Sequence, residues 1–277
     1  MNVKRIGLLA GVLILVAVGT VRGEPARRSG YSYIRELSGD LTVESRWNGS
    51  VEGRRNMPIS SGDEIVTGER GRAEVSLADG SVLHVAGGTR VRFVRLRDQQ
   101  GEDDEFSAVD LKSGSIVLNA AKSDNAAAPR VDTDAATIYL SQGARARVNA
   151  DPRHGTVVIA RTGSAEVRTL AGSFTVKAGS YLSVEGEDEP EIARGSFSRD
   201  RFDIWSADRF DVAADAHSAA SRYVDEGYES DVVALNGYGD WSYNSTYASD
   251  VWSPRVAPGW TPYSNGSWYY TPAGLTW

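Results

Sequence analysis

Between residues 31 and 185 the chain is written in short runs whose apolar residues fall on every second position, each run closed by Gly, Asp or Asn. Arg72-Ala73-Glu74-Val75-Ser76-Leu77 alternates in this way, Ala78-Asp79-Gly80 interrupts, and Ser81-Val82-Leu83-His84-Val85 begins again. Alternation places apolar side chains on one face of a strand, and Asp-Gly tolerates the positive φ of a tight turn. Similar runs at residues 91–96, 109–111, 115–118, 137–140, 144–148, 156–160, 165–168, 173–176 and 181–184 extend the series. Roughly a dozen evenly spaced strands predict an all-β body over residues 31–185. Residues 98–105, rich in Asp and Glu, and residues 121–129, small and polar, read as exposed loops within it. Residues 186–190 (Gly-Glu-Asp-Glu-Pro) read as the linker that ends it.

The period then changes. Phe202, Trp205, Arg209, Val212 or Ala213, Ala216, Ala219 or Ala220 and Tyr223 recur at three- and four-residue steps. They predict one amphipathic helix over residues 198–226, with Arg209 the single polar member of its face and Ser198 and Asp200 as candidate caps. Such a helix needs a surface to lie on, and the β body is the nearest one, with Trp205 and Tyr223 as the largest contacts. Residues 227–277 set aromatics among Gly, Pro, Ser and Asn: Tyr238-Gly239-Asp240-Trp241, Val251-Trp252-Ser253-Pro254, Pro258-Gly259-Trp260-Thr261-Pro262-Tyr263 and Gly266-Ser267-Trp268-Tyr269-Tyr270, ending at Trp277. This is too aromatic for a flexible linker. We expect an irregular aromatic tail, its rings either packed together or turned toward a ligand.

The N-terminus carries Lys4 and Arg5, an apolar run over residues 6–18, and Val21 and Gly23 placed for cleavage before Glu24. Residues 1–23 therefore read as a secretory signal peptide, or as an N-terminal anchor if uncleaved. The expected location is periplasmic or otherwise exported, or the inner membrane if the segment stays. The sequence has no Cys, which excludes a disulfide framework, thiolate metal sites and lipid attachment. Lys and Arg number 30 against 37 Asp and Glu, an acidic balance that argues against nucleic acid as a partner.

Catalytic chemistry is sparse. His84, His154 and His217 are far apart and read as surface or half-buried residues, with no second ligand at metal spacing. No nucleophile elbow, phosphate loop or dinucleotide fingerprint occurs, so neither catalytic residues, cofactor nor metal are expected and the chain reads as a non-enzyme. The tail supplies the ligand candidates, Trp241, Trp252, Trp260, Tyr263 and Trp268. Flat rings flanked by Asn, Ser and Asp suit sugars, whose CH faces stack while their hydroxyls need polar partners.

Ile59-Ser60-Ser61-Gly62-Asp63-Glu64-Ile65-Val66-Thr67, followed by Gly71-Arg72-Ala73-Glu74-Val75-Ser76-Leu77-Ala78-Asp79-Gly80-Ser81, resembles the FecR-type β domain: a Gly-Asp turn, a strand ending near Thr, then a strand running into Asp-Gly-Ser. Gly114-Ser115-Ile116-Val117-Leu118, Thr156-Val157-Val158-Ile159 and Gly163-Ser164-Ala165-Glu166-Val167 continue that order. The tail is similar to the aromatic tails of large bacterial envelope proteins that carry such a domain. The resemblance implies a β-solenoid-like or jelly-roll body. FecR-type transducers place an anti-sigma segment before the membrane, whereas Met1 to Arg5 alone precede the apolar run here, so direct sigma regulation is not expected. The expected function is a non-enzymatic envelope interaction or scaffold module whose partner is a glycan or an envelope protein. The alternatives are a periplasmic signalling input module lacking its own anti-sigma segment, and a cell-wall hydrolase.

Overall fold

The computed structural model describes residues 31–97, 106–122, 129–185, 190–195, 197–220, 222–223, 235, 238–264, 266–271 and 274–277. The expected signal (1–23), the acidic loop (98–105), most of the 121–129 loop and most of the 186–190 linker lie outside the described residues, as does the helix expected over residues 224–226.

The strands of the body are β1 (Ser32–Ser38), β2 (Leu41–Ser45), β3 (Gly49–Glu52), β4 (Pro58–Ile59), β5 (Glu64–Thr67), β6 (Arg72–Ser76), β7 (Val82–Val85), β8 (Arg90–Arg95), β9 (Ala108–Asn119), β10 (Arg130–Asp132), β11 (Thr137–Leu140), β12 (Arg145–Asp151), β13 (Gly155–Thr162), β14 (Ser164–Thr169), β15 (Gly172–Lys177), β16 (Ser180–Val184) and β17 (Glu191–Arg194). The last of these lies beyond the expected linker, paired with β16. The strands form two sheets. One runs β4-β1-β6-β7-β9-β12-β13-β16-β17, the other β3-β2-β5-β8-β9-β10-β11-β14-β15. Past the first few strands, strand number rises steadily across both sheets while the chain passes back and forth between them. That is the progressive winding of a solenoid, not the Greek-key return of a jelly roll.

β9 belongs to both sheets: its first half pairs with β8 and β10, its second with β7 and β12. The strand changes sheet at Gly114, whose φ is +94°, and a Cβ there would sit 2.6 Å from the Thr89 Cα. Glycine is needed on both counts. Hydroxyls satisfy the backbone of this corner: Ser115 N donates to Thr89 Oγ1 at 3.0 Å, Thr89 N to Thr67 Oγ1 at 2.9 Å, and Thr67 Oγ1 to the Ala86 carbonyl at 2.6 Å.

One core lies between the sheets. In the first sheet it is built from cross-strand rows such as Ala73, Val85, Ile116, Val148, Val158 and Leu182, each directly opposite the next and all buried. The neighbouring row points the other way because successive side chains alternate faces. It reads Glu74, His84, Val117, Arg147, Ile159 and Tyr181. Helix α1 (Arg201–Ala220) lies on this outer row, with Phe202 packed against Ala86 and Val117 and flanked by Trp205 and Phe210. Asp200 caps it, its Oδ1 accepting from the Phe202 and Asp203 amides at 2.9 Å each. Among the described residues no helix is long and apolar enough to cross a membrane.

The tail forms two hairpins, β18 (Gly239–Asn244) with β19 (Ser249–Pro254), and β20 (Tyr269–Thr271) with β21 (Gly274–Thr276). Its Trp, Tyr and Thr favour extended backbone, and Trp241 stands directly opposite Trp252 in the first hairpin.

Candidate functional site

Two places gather side chains beyond what the core needs: the seat of α1 and the exposed rings of the tail. The seat is ionic. Glu74, fully buried, is held by Arg35, by Arg209 Nε at 2.7 Å, and by the His84 edge at 3.3 Å. His84, also fully buried, shares a 2.7 Å hydrogen bond between Nδ1 and Ser206 Oγ. Further along the row, Asp203 accepts from Arg147 at 2.7 Å and Arg161 at 2.9 Å, and Arg147 also reaches Asp200 at 2.8 Å. The helix rings each face a guanidinium of the sheet: Arg72 lies 5.2 Å from Trp205, Arg145 5.2 Å from Phe210, and Arg147 5.5 Å from Phe202. Cation–π contacts of this kind contribute about 0.5–2 kcal/mol each.

Burial alone would raise the Glu74 carboxyl, but the donors His84, Arg209 and Arg35 outweigh it and hold it down to about 2. Desolvation lowers His84 below the usual imidazole range, against the pull of Glu74, so the ring stays neutral at physiological pH. Ser206, His84 and Glu74 stand in the order of a nucleophile, base and acid, yet Ser206 is 3% exposed and the other two 0%. With no access for a substrate, the line fixes the helix to the sheet. His84 was expected at the surface or half-buried; α1 covers the outer face of β7 and removes it from water. Arg209 was expected as the single polar member of the helix face, but Asp203 and Ser206 are buried there too. The clue in the sequence was Arg209 itself, a charge among apolar positions that calls for a buried acid.

The tail rings fall into two groups. Trp241 and Trp252 are half-buried and directly opposite each other in the first hairpin; Trp241 stacks on Tyr223 at 5.0 Å, and Trp252 Nε1 donates to the Leu235 carbonyl at 3.1 Å. Tyr223, expected against the body, thus stacks on the tail. Trp260, Tyr263 and Trp268 are exposed, at 42%, 71% and 55%. Tyr263 and Trp268 each meet Trp277 in a T-shaped contact, their ring centroids 5.7 and 5.1 Å from its ring. Tyr263 has φ +61°, a left-handed conformation that costs a side-chain-bearing residue about 1–2 kcal/mol. Two glycines admit the rings: a Cβ on Gly239 would lie 2.4 Å from Trp252 Cε2, and one on Gly266 would lie 2.6 Å from Trp277 Cζ2. The Gly-aromatic composition of the tail is therefore a packing requirement, in which bare backbone lets an indole lie close.

The tail is tied to the body. Tyr269 packs against the main core, Asn48 pairs with the Tyr270 backbone at both N and O, each at 3.2 Å, and Arg55 donates to the Tyr238 hydroxyl at 3.0 Å. Sequence reasoning had no signal for these contacts, which join residues about 180–220 positions apart. His154 is exposed beside Asp151, and the side chain of His217 lies outside the described residues. Among the described residues no group of three or more His, Asp and Glu gathers as a metal site.

Residues 63–166 match the family model described as FecR protein. Comparison with curated proteins returns no match. Among solved structures the chain is similar to two crystal structures from Parabacteroides distasonis, each provisionally described as an anti-sigma factor. The one at 1.65 Å shares 22% identity, covering 48% of this chain and 60% of its own, with a TM-score of 0.42. The one at 2.50 Å shares 17%, covering 70% of this chain and 99% of its own, again with a TM-score of 0.42. This chain thus spans three-fifths of the first structure's length.

Proposed function

The chain carries a FecR-type β domain at residues 63–166, and from that premise we propose that it is a non-enzymatic, exported envelope module that presents the aromatic rings of its tail to a glycan. The observation that carries this reading is the combination of anchorage and exposure in the tail. Tyr269, Asn48 and Tyr238 fix it to the body while Trp260, Tyr263 and Trp268 stay exposed to solvent. Rings held in place and left in water cost solvation for no gain within the monomer, and exposed large apolar groups in a cluster mark interaction sites. Sugars match such rings because stacking needs a flat face, and neighbouring Thr, Ser and Asn side chains can meet hydroxyls. The N-terminal pattern of residues 1–23 supports export, and the closure of the Ser206, His84 and Glu74 line supports a binding role over hydrolysis.

The test is retention of residues 24–277 on purified peptidoglycan and on envelope polysaccharide, beside the double variant Trp260→Ala, Trp268→Ala. Retention of the parent on one of these, and its loss in the variant at unchanged melting temperature, is the expected result. A parent that binds neither material leaves the protein partner as the better reading, to be sought by crosslinking in the envelope.

The α1 seat favours a second reading, a periplasmic signalling input module. The helix is held largely through charges and cation–π contacts, which a competing partner can exchange more readily than a dry apolar interface.

A further inference from the structure

Beside the N-terminal part of α1, the sheet and the segment that precedes the helix leave a cleft lined by Arg145, Arg161, Arg199, Asp203 and Ser206. It holds about 20 Å³, and next to it runs a groove of about 460 Å³ that shares Arg161 and Arg199 and continues along Ala160, Gly179 and Phe197. The charges here do not balance. Both oxygens of Asp203 are already engaged, one by Arg147 and one by Arg161, and Asp200 is engaged by Arg147. Among the described residues no carboxylate lies within ion-pair distance of Arg145 or Arg199. Arg145 is half-buried, its guanidinium over the Phe210 ring, and it feels Asp211 only from beyond pairing distance. Burial and the charges of Arg199 and Arg161 lower its pKa, which Asp211 and Asp203 only partly oppose. A half-buried guanidinium that rests on a ring and has no carboxylate, beside an exposed second one that also has none, concentrates positive charge that an anion can complete.

We propose that this cleft is a binding site for a single oxyanion group, carboxylate or phosphate, carried by a small ligand whose body lies in the adjoining groove. The cleft itself admits little more than one oxygen atom, so the anion enters end-on, with Arg145 and Arg199 in the lining to meet it. Planar guanidinium groups match carboxylate and phosphate oxygens in pairs. Ser206 also borders the cleft, but its hydroxyl is already bonded to His84, so the anion's partners are the arginines. The uncharged remainder of the groove, with Gly179, Gly195 and Phe197, suits a sugar ring or a short acyl body. This site is separate from the tail rings and does not depend on the glycan reading.

The experiment is calorimetric titration of the full mature chain at low ionic strength with inorganic phosphate, glucose 6-phosphate, glucuronate and glucose. Saturable binding of at least one anion and none of glucose is expected. Arg199→Gln, an exposed position whose loss leaves the fold alone, should weaken that binding about tenfold, and Arg145→Gln should do the same or more. Preference for glucose 6-phosphate identifies the source as phosphorylated, and preference for glucuronate as a carboxylate; either supports the site. Absence of saturable binding by every anion overturns the proposal, and so does binding that survives unchanged in both variants at an unchanged melting temperature.

Discussion

A buried histidine beside a buried glutamate makes the stability of this protein depend on acid in a definite direction. His84 has its folded pKa depressed below the ordinary 6.5, chiefly by desolvation. Glu74 has its own depressed from 4.5 to about 2, the donors around it overcoming desolvation. In both cases the unfolded chain takes up a proton that the folded chain refuses, so stability is full above the unfolded pKa and is lost as pH falls toward the folded one. The first window opens below about pH 6.5 through His84, the second between about 4.5 and 2 through Glu74. Chemical denaturation at pH 7.5 and 5.5 should show a loss approaching 1.4 kcal/mol per pH unit at its steepest. His84→Gln, which keeps a polar group facing Ser206, should flatten that first window and narrow the second, because His84 leads the donors that hold Glu74 down. An unchanged slope in the variant would assign the dependence elsewhere.

The same pair shows what the sequence could and could not convey about elements. Strand alternation was legible because the inner rows, such as Val85, Ile116 and Val148, obey period two wherever they fall. The outer row was not, since its meaning depends on a helix that meets it from more than a hundred residues away: Ser206 on His84 and Arg209 on Glu74. Read alone, Glu74 and His84 are ordinary solvent-facing strand positions, and Asp203 and Ser206 belong to a polar helix side. Only when α1 is laid on the sheet do the two polar sets become one buried layer. That account makes a prediction about α1. Asp203→Ala removes the carboxylate that binds Arg147 and Arg161, leaving Arg161 without its acid and Arg147 with Asp200 alone, at a cost of about 3–5 kcal/mol for breaking a buried pair. Because the β core does not share these contacts, the loss should appear as proteolytic cleavage within residues 201–220 while the strand signal in far-ultraviolet dichroism persists. Ile204→Ala, at an exposed position of the same helix, should leave cleavage unchanged. Simultaneous loss of both signals would mean that helix and sheets unfold as one unit.

For the molecule as a whole, the question is whether the tail binds because it contains rings or because the body holds those rings in place. The tail's composition announced aromatics but not their division into packing and exposed sets, since that division is made by Gly239, Gly266 and contacts with the body. A ring on a loose chain loses conformational freedom when it binds, about 0.5–1.5 kcal/mol for each side chain immobilised, besides the cost of fixing backbone. A ring already fixed avoids most of this. Tyr269 offers a clean separation of the two cases, because its own ring is half-buried against the core and is not among the exposed candidates. Tyr269→Ala should therefore leave Trp260, Tyr263 and Trp268 chemically intact while loosening the second hairpin, and Asn48→Ala should add to the effect by removing both bonds to the Tyr270 backbone. If presentation matters, the pair of changes lowers glycan retention about tenfold or more and raises tryptophan fluorescence quenching by iodide, with the melting of the β body shifted little. If the rings bind whatever their setting, quenching rises and retention holds, and the body would then be a carrier for the tail, not part of its binding surface.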